Sequence, residues 1–99
     1  MRSDTRVIVS LIVAAVSWSP AFAATQQACS EYATSAVKDF KVGTNESNAR
    51  KCHIKPDARW QADYRAHYNW CLTVPNDAWR SEQRIRDKYL LNCGAISTY

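Results

Sequence analysis

The sequence predicts an exported all-α protein, a small three-helix up-down-up bundle stapled by two disulfide bonds. Apolar residues recur at three- and four-residue steps after the N-terminal stretch, which is the period of a helix. The chain has only two glycines and three prolines, and no alternating run of β-branched residues indicates a strand. Four cysteines follow a stretch with the composition of an export signal, as in disulfide-rich secreted domains.

The first 23 residues have the features of a cleavable signal peptide. Arg2 and Arg6 form a basic start, an apolar run covers 7–16, and the small residues of "AFA" end at Ala23. The apolar run is shorter than the roughly 20 residues that a transmembrane helix needs. We therefore expect cleavage after Ala23, with no stable membrane insertion afterwards. Residues 24–99 are expected to form one periplasmic or secreted domain.

Composition and charge argue against several classes of function. The formal net charge of the chain is +4, and the basic residues are scattered, which does not favour nucleic-acid binding. Such a charge permits weak attraction to an anionic cell envelope. The sequence has no glycine-rich loop, and we expect no cofactor.

The first helix is predicted from its capping residues. Thr25 is a suitable N-cap, the apolar period continues through 26–42, and Gly43 is expected to end the helix. The polar segment 44–51 could carry a further helical turn.

Two more helices are expected after this segment. Pro56 and Asp57 open the second helix, with Asp57 as its N-cap, and it continues to about Cys71. The third helix has Pro75 in its first turn, where proline is tolerated, and ends near Cys93.

The helix directions predict the disulfide pairing. In an up-down-up bundle the start of the first helix and the end of the second lie at the same end. Cys29 is therefore expected to pair with Cys71, and Cys52 with Cys93. Four cysteines allow three connectivities, so this choice depends on the helix directions alone.

The stretch "WQADYRAHYNWC" at 60–71 places an acid and a histidine, Asp63 and His67, on one helical face. The third helix brings Glu82 and Arg86 toward the same interior. Buried charges are stable only when they are paired and hydrogen-bonded. We interpret these residues as a polar core network, in which Asp63 accepts from His67 or Arg86 and Glu82 holds Arg86.

Two alternatives assign chemistry to the same face. A metal site would use Asp63, His67 and Cys71, with Cys52 and His53 completing a tetrahedral set. It conflicts with the expected disulfides. A hydrolase would use the Asp63–His67 pair, but the serines are scattered without a nucleophile motif. We therefore expect no metal site, no catalytic residues and no enzymatic activity.

Two tryptophans are candidates for a binding surface. Trp70 and Trp79 lie at the edges of their apolar stripes, and a bundle this small cannot bury every indole. Partly exposed tryptophan is enriched at interfaces.

A recurrent pattern covers most of residues 24–99. It consists of "YATSAV" at 32–37, Cys52, "RWQADYRAHYNWC" at 59–71, Glu82, Arg86, Leu90 and Cys93. The pattern resembles a module of short exported four-cysteine proteins of alphaproteobacteria, with Trp-x-x-Asp…His-x-x-Trp-Cys as its most distinctive part. The resemblance implies a bacterial periplasmic setting and assigns a role to no residue.

The expected function is non-catalytic binding by a cell-envelope accessory module that contacts a protein or a glycan. The alternative is a secreted inhibitor or effector, which would present 45–51 as a protruding loop held by Cys52. A small metal-binding protein or a hydrolase ranks third, and a solvent-open pocket over His67 would favour the hydrolase.

Overall fold

Four helices form the fold in residues 24–97, the part of the chain that this computed structural model describes. They are α1 (Gln26–Thr44), α2 (Glu46–Cys52), α3 (Tyr64–Leu72) and α4 (Asn76–Asn92). The all-α prediction is confirmed, but the described residues form four helices where three were predicted, of 19, 7, 9 and 17 residues. The signal peptide predicted for 1–23 lies outside the described residues.

Helix α1 begins as predicted and ends later than predicted. The hydroxyl of Thr25 accepts a hydrogen bond from the Ala28 N–H at 3.0 Å, which satisfies one of the free amides of the first turn. Gly43 lies inside the helix, so its predicted role as a stop was wrong. A Cβ at Gly43 would lie 2.9 Å from Leu90 and closer still to Ile54, so a larger residue there would have to displace both side chains.

Helix α2 is the further helical segment that the polar stretch after α1 was expected to carry. The side chain of Asn45 caps it, accepting from the Asn48 N–H at 2.9 Å. The side-chain amide of Asn48 in turn donates to the Val42 carbonyl at 2.8 Å, which joins α2 to the end of α1.

Helix α3 begins six residues later than predicted, after an irregular segment that we call the linker (53–63). Asp57 does cap backbone amides, but those of a turn: its Oδ1 accepts from the N–H groups of Arg59 and Trp60, each at 2.9 Å. Asp63 caps α3 instead and accepts from the Ala66 N–H at 3.1 Å. Aspartate side chains offer the backbone an alternative to the helix, and Asp57 uses it.

Helix α4 ends where predicted and begins just after Pro75, which was expected in its first turn. Pro75 precedes it in an extended conformation, and Cys93 closes it. Gly94 follows with φ +85°, a conformation that side chains with a Cβ rarely adopt.

Both predicted disulfides are present. Cys29 is bonded to Cys71, which joins the start of α1 to the end of α3, and Cys52 is bonded to Cys93, which joins the ends of α2 and α4. No described cysteine is free. Paired cysteines of this kind indicate folding in an oxidising compartment. Within 24–97, no helix combines the length and the apolar character that crossing a bilayer requires.

The core is small and contains few large aliphatic side chains. Its buried apolar residues are Ala24, Cys29, Tyr32, Ala33, Ala36, Cys52, Trp60, Cys71 and Leu90. The three- and four-residue period of the sequence predicts Ile85 and Tyr89 on the inner face of α4, and this prediction is wrong, because both are exposed. Helix α4 instead turns Arg86 and Leu90 fully inward, because Arg86 finds polar partners on α1.

Removing either disulfide should destabilise the fold by a similar amount. The two bonds close loops with sequence separations of 42 and 41 residues, so their effects on the unfolded chain are alike. The double variants Cys29→Ala/Cys71→Ala and Cys52→Ala/Cys93→Ala should each lose about 2–4 kcal/mol in the free energy of unfolding. Urea unfolding of the oxidised proteins measures this loss, and full stability in either variant would contradict the expectation.

Candidate functional site

A fully buried arginine, Arg86, lies at the centre of the polar core. Its Nη1 donates to the Tyr32 hydroxyl at 3.1 Å, and its Nη2 donates to Gln83 Oε1 at 3.2 Å. Two carboxylates lie slightly farther away, Asp39 at 3.7 Å from Nε and Glu82 at 4.0 Å from Nη1. The guanidinium carbon is 4.8 Å from the centre of the Tyr32 ring, within cation–π range.

The predicted network is present only in part. Glu82 and Arg86 are in contact, as expected, and His67 is buried. The predicted contacts of Asp63 with His67 or Arg86 were wrong, because Asp63 is exposed and its carboxylate caps α3. His67 Nε2 bonds to the backbone carbonyl of Gln61 at 3.0 Å.

Sequence reasoning missed several members of the network. Tyr32 and Asp39 lie at helical spacing on the inner face of α1, and an acid on such a face was the signal available. Nothing in the sequence pattern indicates a role for Arg59. The sequence predicts a helix over the linker, and Glu82, the partner of Arg59, is 23 residues away.

Arg59 ties the linker to α4 through a two-pronged ion pair. Its Nε and Nη2 donate to the two carboxylate oxygens of Glu82, each at 2.9 Å. These hydrogen bonds raise the pKa of Arg59 above its ordinary value. The planar fork of arginine matches a carboxylate in this geometry, so the pair fixes the position of the linker over α4.

Asp39 is the perturbed acid of the network. Burial, followed by the charge of Asp87, raises its pKa from 3.8 to about 6. The side-chain amide of Gln83 donates to both carboxylates, at 3.1 Å to Asp39 and 2.9 Å to Asp87. The bond to Asp39 opposes the rise in the pKa of Asp39.

An open cleft of about 660 Å³ lies beside the network, and we call it the His67 cleft. It is lined by Tyr32, Asp57, Ala58, Arg59, Gln61, Ala66, His67, Trp70 and Glu82. Tyr32 and His67 are buried, while Trp70 leaves 37% of its surface exposed. Helices α1, α3 and α4 and the linker therefore all contribute to one concave surface.

Aromatic packing fixes the apolar part of the cleft. The Tyr32 ring lies 6.2 Å from His67, 5.8 Å from Trp70 and 5.9 Å from Trp79, measured between ring centres. Trp79 is partly buried and packs against the core. Of the two tryptophans predicted as a binding surface, only Trp70 lines this cleft.

His67 Nε2 and both carboxylate oxygens of Glu82 already have hydrogen-bond partners. A carbonyl only accepts, so His67 Nε2 must donate to Gln61, which leaves the lone pair of the neutral ring on Nδ1. Both oxygens of Glu82 accept from Arg59. None of the lining residues is a serine, threonine, cysteine or lysine. The arrangement is suited to holding a ligand more than to nucleophilic attack.

The metal alternative loses its sulfur ligands. It needed thiolates at Cys71 and Cys52, and both sulfurs are in disulfides. Within residues 24–97, no group of three or more His, Cys, Asp and Glu side chains is placed to hold a metal ion.

Comparison with known proteins adds no assignment, because no protein-family model, curated protein or solved structure matches the chain. The function is therefore inferred from the geometry of the cleft.

Replacing Asp39 by Asn should remove a pH-dependent part of the stability. Its pKa is higher in the folded protein, about 6, than the ordinary 3.8, so the folded state binds the proton more tightly. This contribution is fully present below about pH 4 and is lost as the pH rises through 6. The free energy of unfolding should therefore fall by roughly 1–3 kcal/mol between these limits in the wild type, and not in Asp39→Asn. Urea unfolding across this range tests it, and equal pH slopes in both proteins would contradict it.

Two substitutions at Asp63 distinguish its role as a helix cap from a role as a charged partner. Asparagine caps a helix about as well as aspartate, so Asp63→Asn should keep the stability, while Asp63→Ala should lose about 0.5–2 kcal/mol. Thermal and urea unfolding measure the difference. Equal losses in both variants would mean that the charge matters, as it would for a pairing with His67 or Arg86.

Proposed function

We propose that the protein is a non-catalytic binding module of the cell envelope and that the His67 cleft is its binding site. One observation carries the proposal: Trp70 is 37% exposed at a concave surface, while Trp60 is 6% exposed in the same small core. Leaving an indole in water forfeits apolar burial. Exposed apolar surface in a concave site is typical of a surface that binds a partner.

The size and lining of the cleft support this function. Its volume of about 660 Å³ falls within the range of about 300–1,000 Å³ that ligand pockets occupy. Aromatic and alanine side chains form its apolar part, and Arg59, Gln61 and Glu82 supply oriented polar groups. This combination of apolar contact with a few fixed polar groups is what small-ligand sites have in common.

The cleft is also preformed. The linker is held by the Arg59–Glu82 pair, by the bond from His67 to Gln61, and by the Trp60 ring, 5.5 Å from Tyr89. A ligand would therefore find its binding groups already in place and would not have to order the linker first.

The envelope setting rests on the sequence and the disulfides together. The features of a signal peptide end at Ala23, and the disulfide-bonded cysteines suit an oxidising compartment outside the cytoplasm. A periplasmic or secreted protein of this kind meets the proteins and glycans of the envelope, and one of these is the proposed partner.

The inhibitor alternative loses its main support. It required 45–51 as a protruding loop, but these residues form the cap and body of α2, whose last residue, Cys52, is bonded to Cys93. A short helix fixed at both ends does not present the extended loop that the alternative required.

A hydrolase is the second candidate, because the cleft over His67 is open to solvent. Two carboxylates, Asp57 and Glu82, line the same cleft. The candidate is weaker because Glu82 is occupied by Arg59 and Asp57 Oδ1 accepts two backbone amides. The Nδ1 lone pair of His67 remains as a base, but none of the lining residues is a serine, threonine or cysteine nucleophile.

Sedimentation with isolated bacterial cell envelopes tests the proposal. The oxidised 24–99 protein should sediment with them, and Trp70→Ala should largely abolish this. Leu72→Ala is the matched control, because Leu72 is 38% exposed on the same helix and lies outside the cleft. We expect the control to sediment like the wild type.

Two results would contradict the proposal. Sedimentation that persists unchanged in Trp70→Ala, or no sedimentation of the wild type, would remove the cleft as an envelope-binding site. Hydrolysis of envelope material by the wild type would instead favour the second candidate.

A further inference from the structure

We infer that the ligand of the His67 cleft is a neutral saccharide, stacked on the Trp70 indole and hydrogen-bonded by the polar groups of the linker and α4. This inference rests on the proposed function and names the class of ligand for the same site. It follows from the aromatic surface, the balance of charge and the kinds of hydrogen-bonding groups that line the cleft.

The aromatic surface is suited to a sugar ring. A pyranose carries C–H groups on its faces, and these are apolar and slightly positive, while the face of an aromatic ring is slightly negative. Trp70 is 37% exposed where it lines the cleft, and its ring is held 5.8 Å from Tyr32 at an angle of 38°. The indole is therefore a fixed platform at the rim of the cleft.

Most charges at the cleft are paired. Arg59 carries a positive charge in the lining and Asp57 and Glu82 carry negative charges, while Arg86, buried behind the lining, lies between Glu82 and Asp39. Glu82 contacts both arginines, at 2.9 Å to Arg59 and 4.0 Å to Arg86. An anionic or a cationic ligand would gain little net attraction from such a site, so a neutral ligand fits it better.

The polar groups suit hydroxyls, which both donate and accept. Arg59 has five N–H groups, and Glu82 accepts only two of the bonds that they can make. Gln61 donates to the Ala58 carbonyl at 3.0 Å, which fixes its side-chain oxygen as an acceptor. A sugar hydroxyl can bond to a donor and an acceptor at once, so a mixed rim of this kind can serve several hydroxyls.

A polypeptide ligand is less well matched. A docked helix uses several apolar anchors along a groove, whereas the His67 cleft exposes one large aromatic side chain, Trp70. A basic peptide would need uncompensated carboxylates, but Glu82 is paired with Arg59 and Asp57 Oδ1 accepts two backbone N–H groups.

Titration calorimetry with four defined trisaccharides and one tripeptide tests the inference on the oxidised 24–99 protein. The neutral probes are the trimer of N-acetylglucosamine, cellotriose and maltotriose, and the charged probes are trigalacturonate and trilysine. At least one neutral probe should bind and should outcompete the charged ones. Its affinity should change less than roughly twofold between low and high salt, because screening acts on charges and the ligand has none.

Variants at the platform provide the second measurement. Trp70→Ala should lose roughly tenfold or more in affinity for the neutral probe, while Trp70→Phe should keep most of it, because an aromatic face remains. Leu72→Ala should bind like the wild type. Thermal unfolding of each variant establishes that the loss belongs to the contact and not to the fold.

The outcomes separate this inference from the proposed function. If envelope sedimentation depends on Trp70 but protease treatment of the envelopes abolishes it, the partner is a protein and the saccharide inference is overturned alone. Binding of trilysine or trigalacturonate in preference to every neutral probe also overturns it. If sedimentation survives proteolysis and the neutral probe competes it away, both proposals stand, and if sedimentation ignores Trp70, both fall.

Discussion

The buried guanidinium of Arg86 is the interaction on which the rest of the fold depends. A charge without exposure to water is costly, and it persists only where several partners surround it. Helix α1 supplies Tyr32 and Asp39, and α4 supplies Gln83 and Glu82. These partners can meet Arg86 only when the two helices lie in one register, so the charge specifies how α1 and α4 pack in a core with few large aliphatic side chains.

The same interaction reaches the surface through two routes. Tyr32 is held beneath Arg86 and forms the base of the His67 cleft, where Trp70 packs against it. Glu82 extends from Arg86 to Arg59 and so fixes the linker at the rim. The polar core and the candidate site are therefore one connected network. From the sequence, these polar residues could be assigned either a structural or a functional role. In the structure, the same network packs the core and borders the candidate site.

Local signals predicted much of the fold, and long-range contacts limited the rest. Thr25 and Pro75 mark helix starts by their own chemistry, and the helix directions were enough to pair the cysteines correctly. The start of α3 was not predictable, because Asp57 and Asp63 are equally good caps by residue type and each caps backbone amides in the structure. Gly43 was predicted as a stop, because its close contact with Ile54 and Leu90 is visible only in the folded structure.

The candidate site was predictable in the same measure. Trp70 was found from its place at the edge of an apolar stripe, and His67 and Glu82 from helical spacing. The cleft itself could not be predicted, because part of its lining comes from the irregular linker. The sequence predicts a helix there, and a helix would not form the same cleft. Arg59 and Gln61 belong to the site through tertiary contacts that leave no mark on the spacing of residues.

Two small side chains in the lining, Ala58 and Ala66, have a consequence for how this fold can diversify. Both are outside the buried core, and neither takes part in the anchors that hold the linker. A longer side chain at either position would narrow the cleft without disturbing Arg86, the disulfides or the aromatic packing. The side chains of Ala58 and Ala66 that border the cleft are thus separate from the contacts that hold the linker and the core, so the shape of the cleft and the anchoring of the fold depend on different residues.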